Sequence, residues 1–547
     1  METFVQVGAR TFRWLAGLLS LTVVGCANHD VVGMLQTGTP PPFSASGQVT
    51  VPDRWWLTFD QPDLDLHINE AFDGNFTLAA SLQRLGAARA VARREASDLF
   101  PDVDGVADIA SLFGPGKDPT IFTSGFEASY QVDLWGQIGS RVEAARLRAG
   151  ATRADYHAIA LTLSAEIART WFSLIESHAQ LQLLDEQIET NRTGLALQEA
   201  RFGLGLIRVP DVLRQRQLVE STLEQSVVVK ARIEVLEHQL AVLLGQMPQE
   251  AVYRPGAILP ALPPLPATGL PSELLNRRPD VRRDYLAFMA ADRDLASAIT
   301  ARYPRISLSG SVLNAAESPE TLFRDWLLGI GGQMIAPLID GGQRRAEVDR
   351  TTAVVRQRFN EYGETMLNAF REVEDALAQE KFQLQRLEHL DAQTELARQS
   401  ADQLREQYQI GDVEYLDVLS AITAYQRLQR ETLSARLELL LIRVSLYLAL
   451  AGDFEPRNQE VFFFQDSESG GLRVDDAQDG TLPVELIPLP EGVTLPAGSG
   501  DEGLGPPGAN PQTLDPETLE QAGQQVDNDF SQLLRSAERL YEKDVDD

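Results

Sequence analysis

The sequence predicts a mainly α chain with a small β part: two tandem structural repeats forming long coiled-coil helices, plus four strands. Three observations predict it. Residues 141–200 and 343–407 lack proline and carry apolar residues at three- and four-residue spacing, far beyond the length of an ordinary helix. Two period-2 segments precede each of them. The stretch FGLGLIRVPDVLR (202–214) also recurs without gaps as YQIGDVEYLDVLS (408–420), an offset of 206 that sets Gly205 on Gly411 and Asp211 on Asp417.

The chain opens with METFVQVGARTFRWLAGLLSLTVVGCANHD. Arg10 and Arg13 precede a short apolar stretch that has the shape of a secretory signal over 1–25 and is too short to span a bilayer. Val23-Val24-Gly25-Cys26 resembles a bacterial lipobox, and Cys26 is the only cysteine in the chain. Cleavage before Cys26 and lipidation of its thiol would supply more than one acyl anchor, which stable membrane attachment requires. Ala27 stands where an aspartate would retain the protein at the inner membrane, so the resemblance favours the outer one. Beyond this stretch, the expectation is that no segment is long and apolar enough to be a transmembrane helix.

A lipidated linker (26–50) leads to the first repeat, 51–245. Residues 63–99 read as helices broken at Asp73-Gly74-Asn75. After Pro101 comes a weaker strand, 102–110. Residues 121–132 then place Phe122, Ser124, Phe126, Ala128, Tyr130 and Val132 on one face and polar residues on the other. The first long helix is about 60 residues, roughly 90 Å at 1.5 Å per residue, too charged for lipid and too long for a compact globule. Gly203-Leu204-Gly205 ends it, Pro210 opens a second helix, and Gly245 closes that one. A proline-rich connector (246–271) joins the second repeat, 272–452: a helix over 272–300, strands over 305–313 and 325–338, the second long helix, the repeated turn, and a last helix ending near Leu450. Helices after the repeated turns and helices beside the strands sum to the length of one long helix, which predicts end-to-end stacking.

The remainder, 453–547, is an acidic low-complexity tail whose composition predicts disorder, with one short amphipathic helix over 526–545. From residue 457 onward it holds 20 acids and 5 bases, about half of the chain's net charge of −31. That balance argues against a nucleic-acid partner, because a phosphate backbone would repel it. The six histidines (His29, His67, His157, His178, His238, His389) show no metal-ligand spacing. Neither a phosphate-binding loop nor a nucleophile motif stands out, so no cofactor, no metal and no enzyme activity are expected.

Four strands cannot close a barrel, and lipid does not accept an open sheet edge. Pooling the strands of three copies gives about 12, enough for an aqueous lumen. The repeated turns become hairpin tips about 90 Å from the barrel. There, Asp417 would stand three times around the axis, where like-charge repulsion and cation attraction follow. An aspartate in a first helical turn also serves the helix dipole and caps free amides, which applies equally to Asp211.

The segments WWLTFDQPDLDLHINEA (55–71), VDLWGQIGSRVEAA (from Val132), LPSELLNRRPDVRR (from Leu270), YPRISLSGS (from Tyr303) and PLIDGGQRRAEV (from Pro337), with the repeated turn, resemble the outer-membrane efflux factor family of TolC/NodT-like channel lipoproteins. The resemblance spans about 51–452. It implies a homotrimer, a trimeric α-helical tunnel with a 12-stranded transmembrane β-barrel in outer-membrane lipid, and partners: a periplasmic adaptor and an inner-membrane pump of the RND type. Small compounds would pass from the pump across the periplasm and outer membrane. The alternatives are a type I protein-secretion duct, or a non-conducting periplasmic coiled-coil lipoprotein. By resemblance, Asp417 belongs to a periplasmic gate and Tyr408 with Asp211 to a latch between hairpins. Ser420 stands where many relatives carry a second aspartate.

Overall fold

The computed structural model describes residues 41–111, 120–250, 252–321, 323–450 and 452. Cys26, the signal stretch and the acidic tail, with the helix expected over 526–545, lie outside the described residues. A 3-10 turn, Trp55–Phe59, leads into α1 (Pro62–Gly74) and α2 (Phe76–Ser97). Strands β1 (Asp102–Ser111) and β2 (Thr120–Val132) follow, then the long α3 (Gln137–Gly203) and α4 (Val209–Leu244). The second repeat comprises α5 (Pro271–Arg277), α6 (Pro279–Thr300), β3 (Arg305–Ala316), β4 (Trp326–Ile335), α7 (Gln343–Ile410) and α8 (Tyr415–Leu450). The long helices run 67 and 68 residues, close to 100 Å each.

Two expectations need correction. The helix expected over 272–300 is two helices, because Pro279 forces Arg278 into extended backbone and ends α5. One window of α3 is also long and apolar enough to cross a membrane by composition, but 67% of it is buried in helix packing, so it is a core helix.

Aspartates start both long helices. Asp133 accepts the amides of Ile138 (3.0 Å) and Gly139 (2.7 Å), and Asp340 accepts those of Gly342 (3.0 Å) and Arg344 (3.3 Å). The free amides of a helix start need acceptors, which explains why VDLWGQ and LIDGGQ recur at the same place. The end-to-end stacking is also present. Asn75 caps α2 through Leu78 N (3.0 Å) while its Nδ2 donates to Leu243 O at the end of α4 (2.9 Å). Arg278 donates to Ala449 O, which brings the end of α8 to the start of α6.

The four strands form one antiparallel sheet in the order β1-β2-β3-β4. Register aligns Phe126 with Val312 and Val312 with Leu328, and sets Tyr130, Leu308, Ile306 and Met334 on the same face. The opposite face carries Asp104, Glu127 and Ser311 in register. The sheet therefore separates an apolar from a polar face, and its strands pack on one another rather than on the helices. Phe126, Leu328, Ile330 and Met334 of the apolar face are exposed in the single chain.

The main apolar core lies at the waist, where Trp55, Trp56, Phe59, Trp171, Phe172 and Tyr447 pack together. Trp55 stacks on Tyr447 at 5.8 Å. Above the waist, neighbouring helices run α2–α3–α6–α7; below it they run α4–α3–α8–α7. The same two flanks stay open from end to end: β1, α2 and α4 on one side, β4 and α7 on the other.

Candidate functional site: the hairpin tips

Both tips close with the same backbone device. Leu206 N reaches Arg201 O (3.0 Å) over Gly205 N to Phe202 O (2.8 Å), and Asp412 N reaches Gln407 O (3.0 Å) over Gly411 N to Tyr408 O (3.2 Å). This paired closure needs a left-handed residue, and Gly205 (φ 73°) and Gly411 (φ 83°) provide it. The repeated glycines are thus helix terminators, and the residues after them start the returning helices.

Asp211 stands in the first turn of α4, half-buried, 3.3 Å from Arg214. Asp417 stands in the first turn of α8, exposed, with no side-chain partner among the described residues. Tyr408 donates to Gln198 Oε1 (3.2 Å), lies under the Arg201 guanidinium (4.7 Å to the ring centre) and meets the Tyr415 ring at 5.3 Å. Within one chain Tyr408 and Asp211 make no hydrogen bond; Tyr408 is held by α3 instead. Tyr415 donates to Gln215, and burial pushes its phenol up to about 12, so it stays a donor through ordinary pH.

Sequence reading missed what lies behind the tips. Glu176, Gln180, Gln187, Asn191 and Gln198 are buried along α3, four or seven residues apart, where a coiled coil normally carries apolar residues. Asn191 and Gln426 exchange two hydrogen bonds (3.0 and 3.3 Å), Asn191 donates to Thr222 (3.1 Å), and Gln187 joins Gln429 (3.0 Å) and Arg430 (2.5 Å). Gln180 and Ser434 both donate to Glu176 at 3.0 Å. Each such bond contributes only about 0.5–1.5 kcal/mol net, because water replaces it when the helices part. Parting the apolar waist would expose hydrocarbon at about 25 cal/mol per Å², with no replacement. The tip half therefore mixes this exchangeable polar seam with a thinner apolar packing around Leu184, Ile188, Leu390 and Leu428. The glutamines and asparagines at coiled-coil spacing were the available signal.

The waist holds a second missed group. Arg443, 1% exposed, pairs with Glu380 through two 2.7 Å bonds and donates to the Pro263 and Pro264 carbonyls of the connector. A single arginine inside LLLIRVSLYLAL marks it in the sequence. In the NRRPDVR segment, Arg278 bonds Asp280 (2.6 Å) and Glu372 (2.8 Å), so that segment is a joint between helices. No group of side chains suited to holding a metal occurs among the described residues.

Comparison with known proteins agrees with this geometry. The profile of a family described as "Outer membrane efflux protein" matches residues 67–246 and 270–452. The pyoverdine export outer membrane protein OpmQ of Pseudomonas putida is 27% identical over 456 residues, covering 80% of this chain and 96% of the relative. The cation efflux system protein CusC of Escherichia coli K12 is 26% identical over 452 residues, covering 79% and 98%. The solved outer-membrane channel OprN superposes with a TM-score of 0.72 at 26% identity, covering 77% of this chain and 99% of that one.

Proposed function

The chain belongs to the outer membrane efflux protein family, and from that premise we propose how it works: as the outer-membrane duct of a tripartite efflux system, three copies joining their sheets into a barrel of about 12 strands and their helices into one tunnel. The protein is an outer-membrane efflux component, and its family is one of channels. The observation that carries the assembly is the four-stranded sheet with two unpaired edges and an exposed apolar face. In hydrocarbon each unpaired backbone group costs several kcal/mol, and only closure removes the edges. The apolar face then meets lipid and the face of Asp104, Glu127 and Ser311 lines the lumen.

Residues 1–25 act as the secretory signal and Cys26 takes the lipid. The tips point into the periplasm, toward a periplasmic adaptor and an inner-membrane pump of the RND type that supplies the energy. Relatives are named for export of pyoverdine, cations and toluene, so the reading assigns a duct and not a cargo. Asp417, repeated in each copy, narrows the mouth with an acidic ring; Tyr408 and Asp211 hold the hairpins closed across copies. The free carboxylate of Asp417 and the weakly held polar seam support this gate.

Single-channel recording tests it. Asp417→Ala with Tyr408→Phe should raise conductance several-fold and weaken block by divalent cations. Unchanged conductance in both would remove the gate from these residues.

A further inference from the structure

We infer that the joint between α1, α4 and the start of the connector is an acid-released latch, with His67 as its trigger. The latch lies within a single chain and stands apart from the assembly and the gate proposed above. At this joint Asn75, just past α1, bonds Leu243 O near the end of α4, and Gly245 turns the chain into the connector. His67 lies there on α1. Its imidazole is enclosed between two rings, 4.8 Å from Trp171 of α3 and 5.4 Å from Tyr253 of the connector. Its Nδ1 is buried and has no hydrogen bond. Glu70 Oε2 stands 3.7 Å away, near enough to attract a charge and too far to bond. Glu70 is already engaged. Its Oε1 accepts from Gln246 Nε2, and Gln246 Oε1 accepts from the Tyr253 hydroxyl at 3.2 Å. This chain of bonds ties the first residues of the connector to α1, and the Tyr253 amide is tied to α4 through Glu237 Oε1 at 3.1 Å.

The charge on His67 decides whether this chain of bonds holds. Around the imidazole stand Asp63 and Glu70 on its own helix, Glu237 on α4, the Tyr253 phenol of the connector and, on α3, the uncharged indole of Trp171. Burial, with the Glu70 and Glu237 charges, pushes the Tyr253 phenol up, so it stays a donor. Histidine is the group in this set whose ordinary value lies in mild acid. Burial disfavours the imidazolium more than the Glu70 and Asp63 carboxylates favour it, so His67 titrates below the usual histidine range and is neutral at pH 7. The unfolded chain takes this proton first, near pH 6.5, so the latch is fully present above about that value and is lost as the pH falls toward the lowered one. Once protonated, the imidazolium draws the Glu70 carboxylate across the 3.7 Å gap and off Gln246, and Tyr253 loses its anchor. The connector then lifts from the place where α1 and α4 meet.

Thiol labelling of the full-length chain in native membranes tests the latch. Leu259→Cys, partly buried against the core, should react slowly at neutral pH, and Ile258→Cys, 85% exposed, corrects for the chemistry of the thiol itself. The parent, whose only cysteine is Cys26, sets the background. The rate at Leu259→Cys relative to Ile258→Cys should rise several-fold between about pH 7.5 and about pH 5, with its midpoint below about 6.5. His67→Phe, which keeps a ring between Trp171 and Tyr253 but takes no proton, should leave the ratio flat. His67→Gln, smaller and equally unable to take a proton, repeats the comparison. The emission of Trp171, read as the parent minus Trp171→Phe, should fall over the same range, because an imidazolium in contact with an indole quenches it. A flat ratio in the parent, or a rise that both His67 variants keep, would overturn the latch. A rise with the Trp171 emission unchanged would place the titrating proton elsewhere and overturn it as well.

Discussion

Replacing Arg443 with methionine should weaken the waist more than any surface change. The guanidinium is enclosed, bonded twice to Glu380 and also to the Pro263 and Pro264 carbonyls. Arg443→Met leaves the Glu380 carboxylate, 6% exposed, without its counter-charge, which costs about 3–5 kcal/mol. The two stranded carbonyls add to that, each by about 1–3 kcal/mol where water cannot reach them. Arg443→Met with Glu380→Met removes the lone charge and should recover at least about 2 kcal/mol, since replacing both partners of a buried pair is often near neutral. Urea unfolding of detergent-solubilised protein at one fixed concentration measures the differences. Tryptophan fluorescence reports on the same place, because Trp55 stacks on Tyr447 one turn beyond Arg443. A single substitution within about 1 kcal/mol of the parent, or a double substitution no better than the single one, would refute the assignment of this pair as the clamp on the connector.

Three further outcomes follow from particular contacts. Gly245→Ala should lower the unfolding midpoint well beyond Gly205→Ala: both glycines have positive φ, but a Cβ on Gly245 would sit 2.1 Å from Gly74 O, whereas that on Gly205 meets nothing within 4 Å, and equal losses would show that the joint between α4 and the end of α1 yields freely. Asp104→Asn with Glu127→Gln removes two carboxylates that face each other on the polar side of the sheet, so cation preference, read as the reversal potential in a salt gradient, should fall; an unchanged potential would place that face outside the conducting path. Cys26→Ala should abolish incorporation of labelled palmitate in cells while the protein still fractionates with outer membranes, as the proposed barrel requires, and continued labelling would move the lipid site elsewhere.

How much was legible depended on range. Residues that act on near neighbours announced themselves: Gly205 and Gly411 in the turns that end the long helices, and the alternation of Phe122 to Val132 as a strand with one apolar face, whereas the helix-starting role of Asp133 and Asp340 was just as local and went unread. Helix periodicity and turn chemistry are local, so the order of elements, the internal repeat and the hairpin tips followed from the sequence alone. The break at Arg278-Pro279 was equally local and was overlooked.

Tertiary structure decided what depends on partners far along the chain. Gln187 and Asn191 look like solvent-facing residues until α8 brings Gln426, Gln429 and Arg430 against them more than 200 positions later. Arg443 looks like a flaw in an apolar helix until Glu380 and the connector close around it. Tyr408 could be assigned to Asp211 by resemblance, but only packing shows that within the chain it is held by Gln198 and Arg201. A sequence states what each residue can bond with, and the fold alone fixes which of those groups come within 3 Å. For this chain, sequence determined a repeated, strand-bearing coiled coil with two glycine-ended tips. Structure decided that its waist is apolar and clamped, that its tip half carries a seam of exchangeable hydrogen bonds, and that the same two flanks lie open among the described residues.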